Sequence, residues 1–263
     1  VSVICAIRGP NKTAKTTLGL TFPKKIQHFD LDLGFDRAAP RFQSEVDAGL
    51  IVSKKYPAPM RGVIIEKDKV TLNFQDKKIT GVRELWEEFT QDYVEALLNP
   101  EIATLMVDTG TALWEITHRA YLQEKQEAQK PNEPLRERLI PIEYGEPNAR
   151  MRTVFHAPRQ YNKNLVLTHF EREVIQEKLT DRGKEEVRTG QFELEGFKHT
   201  GGLVDIQVAP FLENNVPHCK VELCGLAIAF QGTVLSEPTY DQLMSALEMV
   251  QGGGSVSSDK AAR

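Results

Sequence analysis

The stretch CAIRGPNKTAKTTLGL, Cys5 to Leu20, decides the fold. An apolar, β-rich run, VSVICAI, feeds a Gly-Pro-Asn turn, and a helix is predicted from Lys15 to Phe22, ended by Pro23. The residues between fit G-x-x-x-x-G-K-[ST], except that Ala14 stands at the second glycine. Such a loop holds phosphate because successive backbone N–H groups point inward at the head of a helix, where the dipole also favours anions. On this reading the backbone from Gly9 through Pro10, Asn11, Lys12, Thr13 and Ala14 to Lys15, Thr16 and Thr17 cups a nucleotide. Lys15 reaches the β- and γ-phosphates, and the Thr16 hydroxyl binds Mg²⁺. The Ala14 methyl is tolerated at little cost if its φ is negative. The alternative is a basic helix start without a ligand.

Two further stretches end in carboxylates. TLMVDTGTAL runs three apolar residues, Leu105 to Val107, into Asp108, the layout of a strand whose aspartate holds Mg²⁺ opposite Thr16. Its bland reading is a helix cap. In HFDLDLGFD, Asp30 and Asp32 are two apart and are expected to face one side of a strand end, so that Asp32 can polarise a water. The competing reading has Asp30 orient the turn and Asp36 cap a helix.

Outward from these stretches, strands alternate with helices. KIQHFDLD, IATLMVD, NLVLTH and LVDIQVA read as strands; Thr80–Leu98, Ala112 to about Lys130, Asn148 to about Tyr161 and Thr239–Val250 read as helices. Thr80 is expected to cap the first of these, with Val82, Leu85, Trp86, Phe89, Tyr93 and Leu97 on its buried face. The prediction is an α/β fold with a mostly parallel central sheet, helices on both faces and a C-terminal β-hairpin in CKVELCGLAIAF. Residues 1–235 are expected to form the core, with 41–80 an insertion carrying a hairpin; 236–250 form a last helix, and 251–263 a disordered tail. Phe170 to Gly202 reads as a polar connection.

Composition excludes little. The chain has 263 residues, 40% hydrophobic and 27% charged, and its formal charge of -4 gives no global attraction for nucleic acid. Cys5, Cys219 and Cys224 are expected to be reduced thiols of a cytoplasmic protein. No apolar run approaches the ~20 residues that cross a membrane, and no signal peptide is evident.

Taken together, GPNKTAKTTLGL, FPKKIQHFDLDLGFDRA, TLMVDTGTALWE, NLVLTHFERE and EGFKHTGGLVDIQVA resemble the RecA-like branch of P-loop NTPases. More narrowly they resemble phage RecA-like ATPases, grouped as AAA-type phage nucleotide-binding or single-strand annealing proteins. The resemblance implies an ATPase that uses ATP and Mg²⁺, with Lys15, Thr16 and Asp108 on phosphate and metal. It puts Asp32 where the family has a water-activating glutamate, one methylene longer, and His169 where the family has a polar sensor of the γ-phosphate. It also implies a homo-oligomer acting in phage DNA recombination in the host cytoplasm, with single-stranded DNA and a single-strand-binding protein as expected partners. DNA would lie against loops within about Thr117–Pro147 and Phe170–Gly202, where Phe192 and Phe197 could stack on bases or pin the loop. Arg150, Arg152, Arg159 and Lys163 form a basic stretch that reads equally as a DNA contact or a solvated helix face. Arg188 and Lys198 are the cations available to a neighbour's site, neither favoured. The alternative function is a nucleotide-binding assembly switch with slow hydrolysis and no DNA.

Overall fold

In IATLMVD and NLVLTH, side chains alternate between two cores. Leu105, Val107, Leu165 and Leu167 enter one; Met106 and Val166 enter the other. Such strands, apolar on both sides, demand cover on both faces. The computed structural model describes residues 2–59, 63–66, 69–72, 77–180 and 183–253. Its elements run β1 (Ile4–Arg8), α1 (Lys15–Gly19), β2 (Ile26–Asp30), α2 (Phe35–Ala38), α3 (Gln43–Asp47), β3 (Ile51–Lys55), β4 (Val63–Glu66), β5 (Lys69–Leu72) and α4 (Val82–Leu98). They continue with β6 (Thr104–Asp108), α5 (Gly110–Glu127), α6 (Gly145–Gln160), β7 (Asn164–His169), β8 (Glu171–Thr180) and β9 (Gly183–Leu194). The last are β10 (Ile206–Glu213), β11 (Val216–Cys224), β12 (Val234–Ser236) and α7 (Tyr240–Gln251).

The central sheet has eight strands in the order β12-β11-β10-β1-β7-β6-β2-β3. From β10 to β3 every pairing is parallel; β11 and β12 add antiparallel at one edge. Helices α4, α5 and α6 cover one face, and α1, α2 and α7 the other. The chain is therefore the α/β fold anticipated. Strand β7 lies between the loop strand β1 and the aspartate strand β6, and register brings the last residues of all three together. Arg8 pairs with His169, Asp108 with Thr168, and Asp30 with Asp108. A site at this edge follows from the topology. Among the described residues, no helix is long and apolar enough to cross a membrane.

Several boundaries differ from the sequence reading. Helix α1 stops at Gly19, where a Cβ would lie 2.9 Å from the Met106 sulfur. Within 41–80, Ile51–Lys55 is a sheet strand beside β2, and only β4 and β5 form the anticipated hairpin. Thr80 does not cap α4: its N-cap is Gly81, and Gln123 Oε1 accepts from Val82 N at 2.9 Å and Arg83 N at 3.0 Å. The six expected core residues of α4 are all buried. Helix α6 begins at Gly145, and Pro147 fits in its first turn, where the missing N–H has no partner to lose. The polar connection after β7 is a long antiparallel hairpin, β8–β9.

At the C-terminal edge the turn is Asn214-Asn215, both at positive φ, joining β10 to β11. GLAIAF is no strand; Ile228–Phe230 is a 3₁₀ turn. Thr239 starts α7 with a reciprocal cap: its hydroxyl accepts from Gln242 N at 3.3 Å, and Gln242 Oε1 accepts from Thr239 N at 3.1 Å. Of the tail anticipated over 251–263, Gln251 is instead the last residue of α7 and 252–253 form a turn, while 254–263 lie outside the described residues.

Candidate nucleotide site

The loop leaves β1 at Gly9, where a Cβ would meet Pro210 O and Thr13 Oγ1 at 3.2 Å. Inside it, Lys15 is buried, and its Nζ donates to Gly9 O at 2.8 Å and Pro10 O at 2.6 Å. The ammonium also lies 5.4 Å from the centre of the Phe170 ring. Burial lowers the Lys15 pKa, while the carboxylates of Asp108, Asp32 and Glu171 pull it back up. The condition placed on Ala14 is not met. Its φ is +64°, left-handed backbone that favours glycine, and Lys12 shares it at +65°. The loop keeps its shape with a methyl in a strained position.

Asp108 is the hub. Buried at the end of β6, it accepts from Thr16 Oγ1 through Oδ2 at 2.7 Å and from Thr168 Oγ1 through Oδ1. His28 Nε2 stands 3.7 Å from Oδ2, beyond direct hydrogen-bond reach, while His28 Nδ1 meets Ser53 Oγ at 2.8 Å. Burial pushes the Asp108 pKa up, but the His28 imidazole and the two hydroxyls outweigh it and leave the group below its ordinary range. The Thr16–Asp108 contact spans 92 positions in sequence.

Asp30 and Asp32 do not share a strand face. β2 ends at Asp30, whose Oδ1 accepts from Gly34 N at 2.8 Å and Oδ2 from Phe35 N at 3.2 Å. Asp30 therefore orients the turn, as its bland reading had it. Asp36 pairs with Lys55 at 2.7 Å. Asp32 lies in the turn beyond, its backbone N–H donating to Asp108 O at 3.3 Å. Its Oδ1 is buried and has no hydrogen-bond partner among the described residues. Burial first, then the nearby Asp108 and Asp30 carboxylates, push its pKa from 3.8 up to about 6, against a smaller opposing pull from Arg37 and Gly34 N–H.

His169 is buried beside the loop: its carbonyl accepts from Gly9 N at 3.3 Å. The ring lies under the start of α5, where a Cβ on Gly110 would come 2.7 Å from Nε2, and Nδ1 stands 3.3 Å from Glu195 O. Burial, with the Lys15 charge adding, pushes its pKa down to about 4 despite that carbonyl, so the imidazole is neutral. Nε2 has no partner. The next residues anchor the β8–β9 hairpin: Phe170 N donates to Thr111 Oγ1 at 3.1 Å, and Arg8 reaches Glu171 at 2.8 Å.

The basic stretch is not assembled as a patch. Arg150 is held by both oxygens of Glu124 at 2.9 Å, Arg159 binds Asp205 at 3.1 Å, and buried Lys163 donates to Asn99 O and Ile102 O. Lys163 and Arg159 also sit toward the amino ends of the strands, away from the loop. Only Arg152 of the four has no partner among the described residues. Thr117, taken as a loop start, is buried in α5 and donates to Leu113 O at 2.7 Å. Phe197 is buried against Trp114 and Phe155, so it pins its segment, while Phe192 is exposed on β9.

His28 and Arg37 were not anticipated at the site, whereas Thr168 stands with His169 at the polar end of NLVLTH, one of the strand ends expected to converge there. His28 carries a readable signal: within KIQHFD it shares parity with Asp30, a polar face inside an apolar strand.

No family model matches the sequence, and no curated protein matches it. Among solved structures, one titled as the RadB recombinase is similar over 89% of this chain and 86% of that chain, with a TM-score of 0.47 and 14% identity. Another, described as a prototypical ATPase from the type III secretion system of pathogenic bacteria, covers 98% and 70%, with a TM-score of 0.43 and 11% identity. Both are distant similarities, and the functional reading rests on the loop and its surroundings instead.

Proposed function

We propose that this chain is an ATP- and Mg²⁺-dependent ATPase of RecA-like build. The observation that carries it is the 2.7 Å contact between the Thr16 hydroxyl and the Asp108 carboxylate, on elements whose strands are separated by β7. Mg²⁺ in nucleotide sites takes one or two protein oxygens and completes its shell with phosphates and water. A hydroxyl and a low-pKa carboxylate at the head of α1 fit that demand. Among the described residues no cluster of three acidic, His or Cys ligands exists, and this mode of binding needs none. When bound, the metal would neutralise charge on the β- and γ-phosphates.

The chain's own groups account for the rest. Loop amides and the α1 N-terminus receive phosphate oxygens. Lys15 exchanges the Gly9 and Pro10 carbonyls for phosphate, a small swing from a loop that already encloses it. Asp32, with an unpartnered oxygen, orients a water and accepts its proton. Neutral His169 holds the base of the neighbouring hairpin. Lys15→Ala should abolish hydrolysis by the purified protein, and near-normal turnover would refute the assignment.

At finer grain we propose action on single-stranded DNA in phage recombination by a homo-oligomer in the host cytoplasm. Its supports are the resemblance of the motifs, exposed Phe192, and the unpartnered Arg152. A second reading, the nucleotide-driven assembly switch without DNA, is favoured by the ion pairing. Arg172, Lys184 and Arg188 of the hairpin are engaged by Glu193, Glu177 and Glu173, leaving little charge for phosphates. ATPase rate with and without single-stranded DNA at two salt concentrations separates them. Stimulation that fades with salt supports the first, and indifference to DNA supports the second.

A further inference from the structure

The turn after β2 carries a cation that neither the loop motif nor its resemblance assigns. Arg37 sits on α2, five residues beyond Asp32. Its guanidinium makes no hydrogen bond or ion pair among the described residues. Asp36, the acid beside it, is occupied by Lys55 at 2.7 Å. What Arg37 faces is Asp32. The place that a Cβ on Gly34 would occupy lies 2.6 Å from Asp32 Oδ1 and 2.9 Å from Arg37 Nη2. The two groups confront one another across a glycine, close but unbonded, and the Asp32 oxygen on that side is the one without a partner.

Arginine–carboxylate pairs, where they form, are frequently bidentate. Here the two groups stay apart, and the carboxylate remains within electrostatic reach of Lys15 and Asp108. Arg37 is thus a cation without a hydrogen bond or ion pair among the described residues, set beside the carboxylate that acts electrostatically on Lys15.

We infer that Arg37 acts within its own chain on the γ-phosphoryl group, meeting the charge that develops on its oxygens while Asp32 holds the attacking water. This rests on the reading of Asp32 as the water-orienting base. Gly34 is part of the arrangement. Its φ of −94° suits any residue, so glycine is not needed for the backbone; it is needed because a side chain would fill the gap between the two groups. Cations so placed work chiefly on the transition state, where charge is larger than in bound ATP.

The test is steady-state ATP hydrolysis and equilibrium ATP binding for Arg37→Ala, Arg37→Lys, Gly34→Ala and Asp32→Asn in the full chain. Arg37→Ala should lower kcat by about 10²-fold or more with the nucleotide Kd changed less than about threefold, as for arginines in other phosphoryl-transfer sites. Arg37→Lys should recover part of that loss, and Gly34→Ala should lose turnover with its melting temperature kept. If Arg37→Ala turns over at wild-type rate while Asp32→Asn is inactive, the inference fails and the base assignment stands. If Asp32→Asn itself turns over normally, the base assignment fails. Loss of ATP binding in Arg37→Ala would make the residue a ground-state or structural contact and overturn the inference. Turnover regained by mixing Arg37→Ala with Lys15→Ala protein would overturn its action within one chain.

Discussion

Replacing Asp32 by Asn should abolish the proposed ATP hydrolysis and stabilise the fold. The Asp32 carboxyl is pushed from 3.8 to about 6 because one oxygen is buried without a partner and two carboxylates lie close. A shift of about two pKa units corresponds to roughly 3 kcal/mol at about 1.4 kcal/mol per unit. Asp32 is only half-buried, so solvent screening cuts this to about 1–2 kcal/mol. The sign follows from linkage: with the folded pKa above the unfolded one, stability from this group is full below pH 3.8 and is lost as pH rises through about 6. The neutral amide of Asn escapes that loss. Asp32→Asn should therefore melt about 3–6 °C higher than wild type at pH 8 without nucleotide or metal. Roughly half of the gap should remain at pH 5 and almost none below pH 4. Thermal unfolding followed by circular dichroism across this range measures it. A variant no more stable than wild type at pH 8, or a gap that ignores pH, would show that the carboxylate is well solvated and the electrostatic reading of the turn is wrong.

Other outcomes test other parts of the structure. Ala14→Gly should stabilise the protein by about 0.5–1 kcal/mol, because relief of a left-handed alanine, worth roughly 1–2 kcal/mol, exceeds the added freedom of the unfolded chain. A lowered melting temperature would contradict the φ of +64°. Gln123→Ala should cost about 1–3 kcal/mol by orphaning the Val82 and Arg83 N–H groups that start α4, and a loss under about 0.5 kcal/mol would show that water replaces the cap. Thr16→Ala should weaken Mg²⁺-dependent nucleotide binding about tenfold or more while leaving Mg²⁺-free binding nearly unchanged, measured by titration calorimetry; equal losses in both would place Thr16 on phosphate instead.

The core of the fold was legible because its signals are local and periodic. The loop between β1 and α1, the apolar run into Asp108, and the 3.6-residue spacing of Val82, Leu85, Trp86, Phe89, Tyr93 and Leu97 each announce themselves within twenty residues. What was not legible depends on partners far along the chain. Gln123 caps a helix 41 positions away, and no cap pattern at Thr80 or Gly81 reveals it. β3 was missed because IVSKK is an edge strand, half exposed and, among the described residues, paired only with β2. The β8–β9 hairpin was missed because strands outside a core need no apolar face, and cross-strand charge pairs such as Arg172–Glu193 replace it. The basic stretch misled for the converse reason: Glu124 and Asp205, which neutralise Arg150 and Arg159, sit on other elements. Parity also failed at Asp32, where the strand ends two residues sooner than its sequence suggests because Asp30 turns the chain.

The most direct test is equilibrium binding of a fluorescent ATP analogue to the full chain, with and without Mg²⁺, for wild type and Lys15→Ala. The structure leads one to expect saturable binding at one site per chain, tightened by Mg²⁺ and weakened tenfold or more by the substitution. Absence of binding, or equal affinity in the two proteins, would contradict the claim that the amides between Gly9 and Thr17 receive a triphosphate.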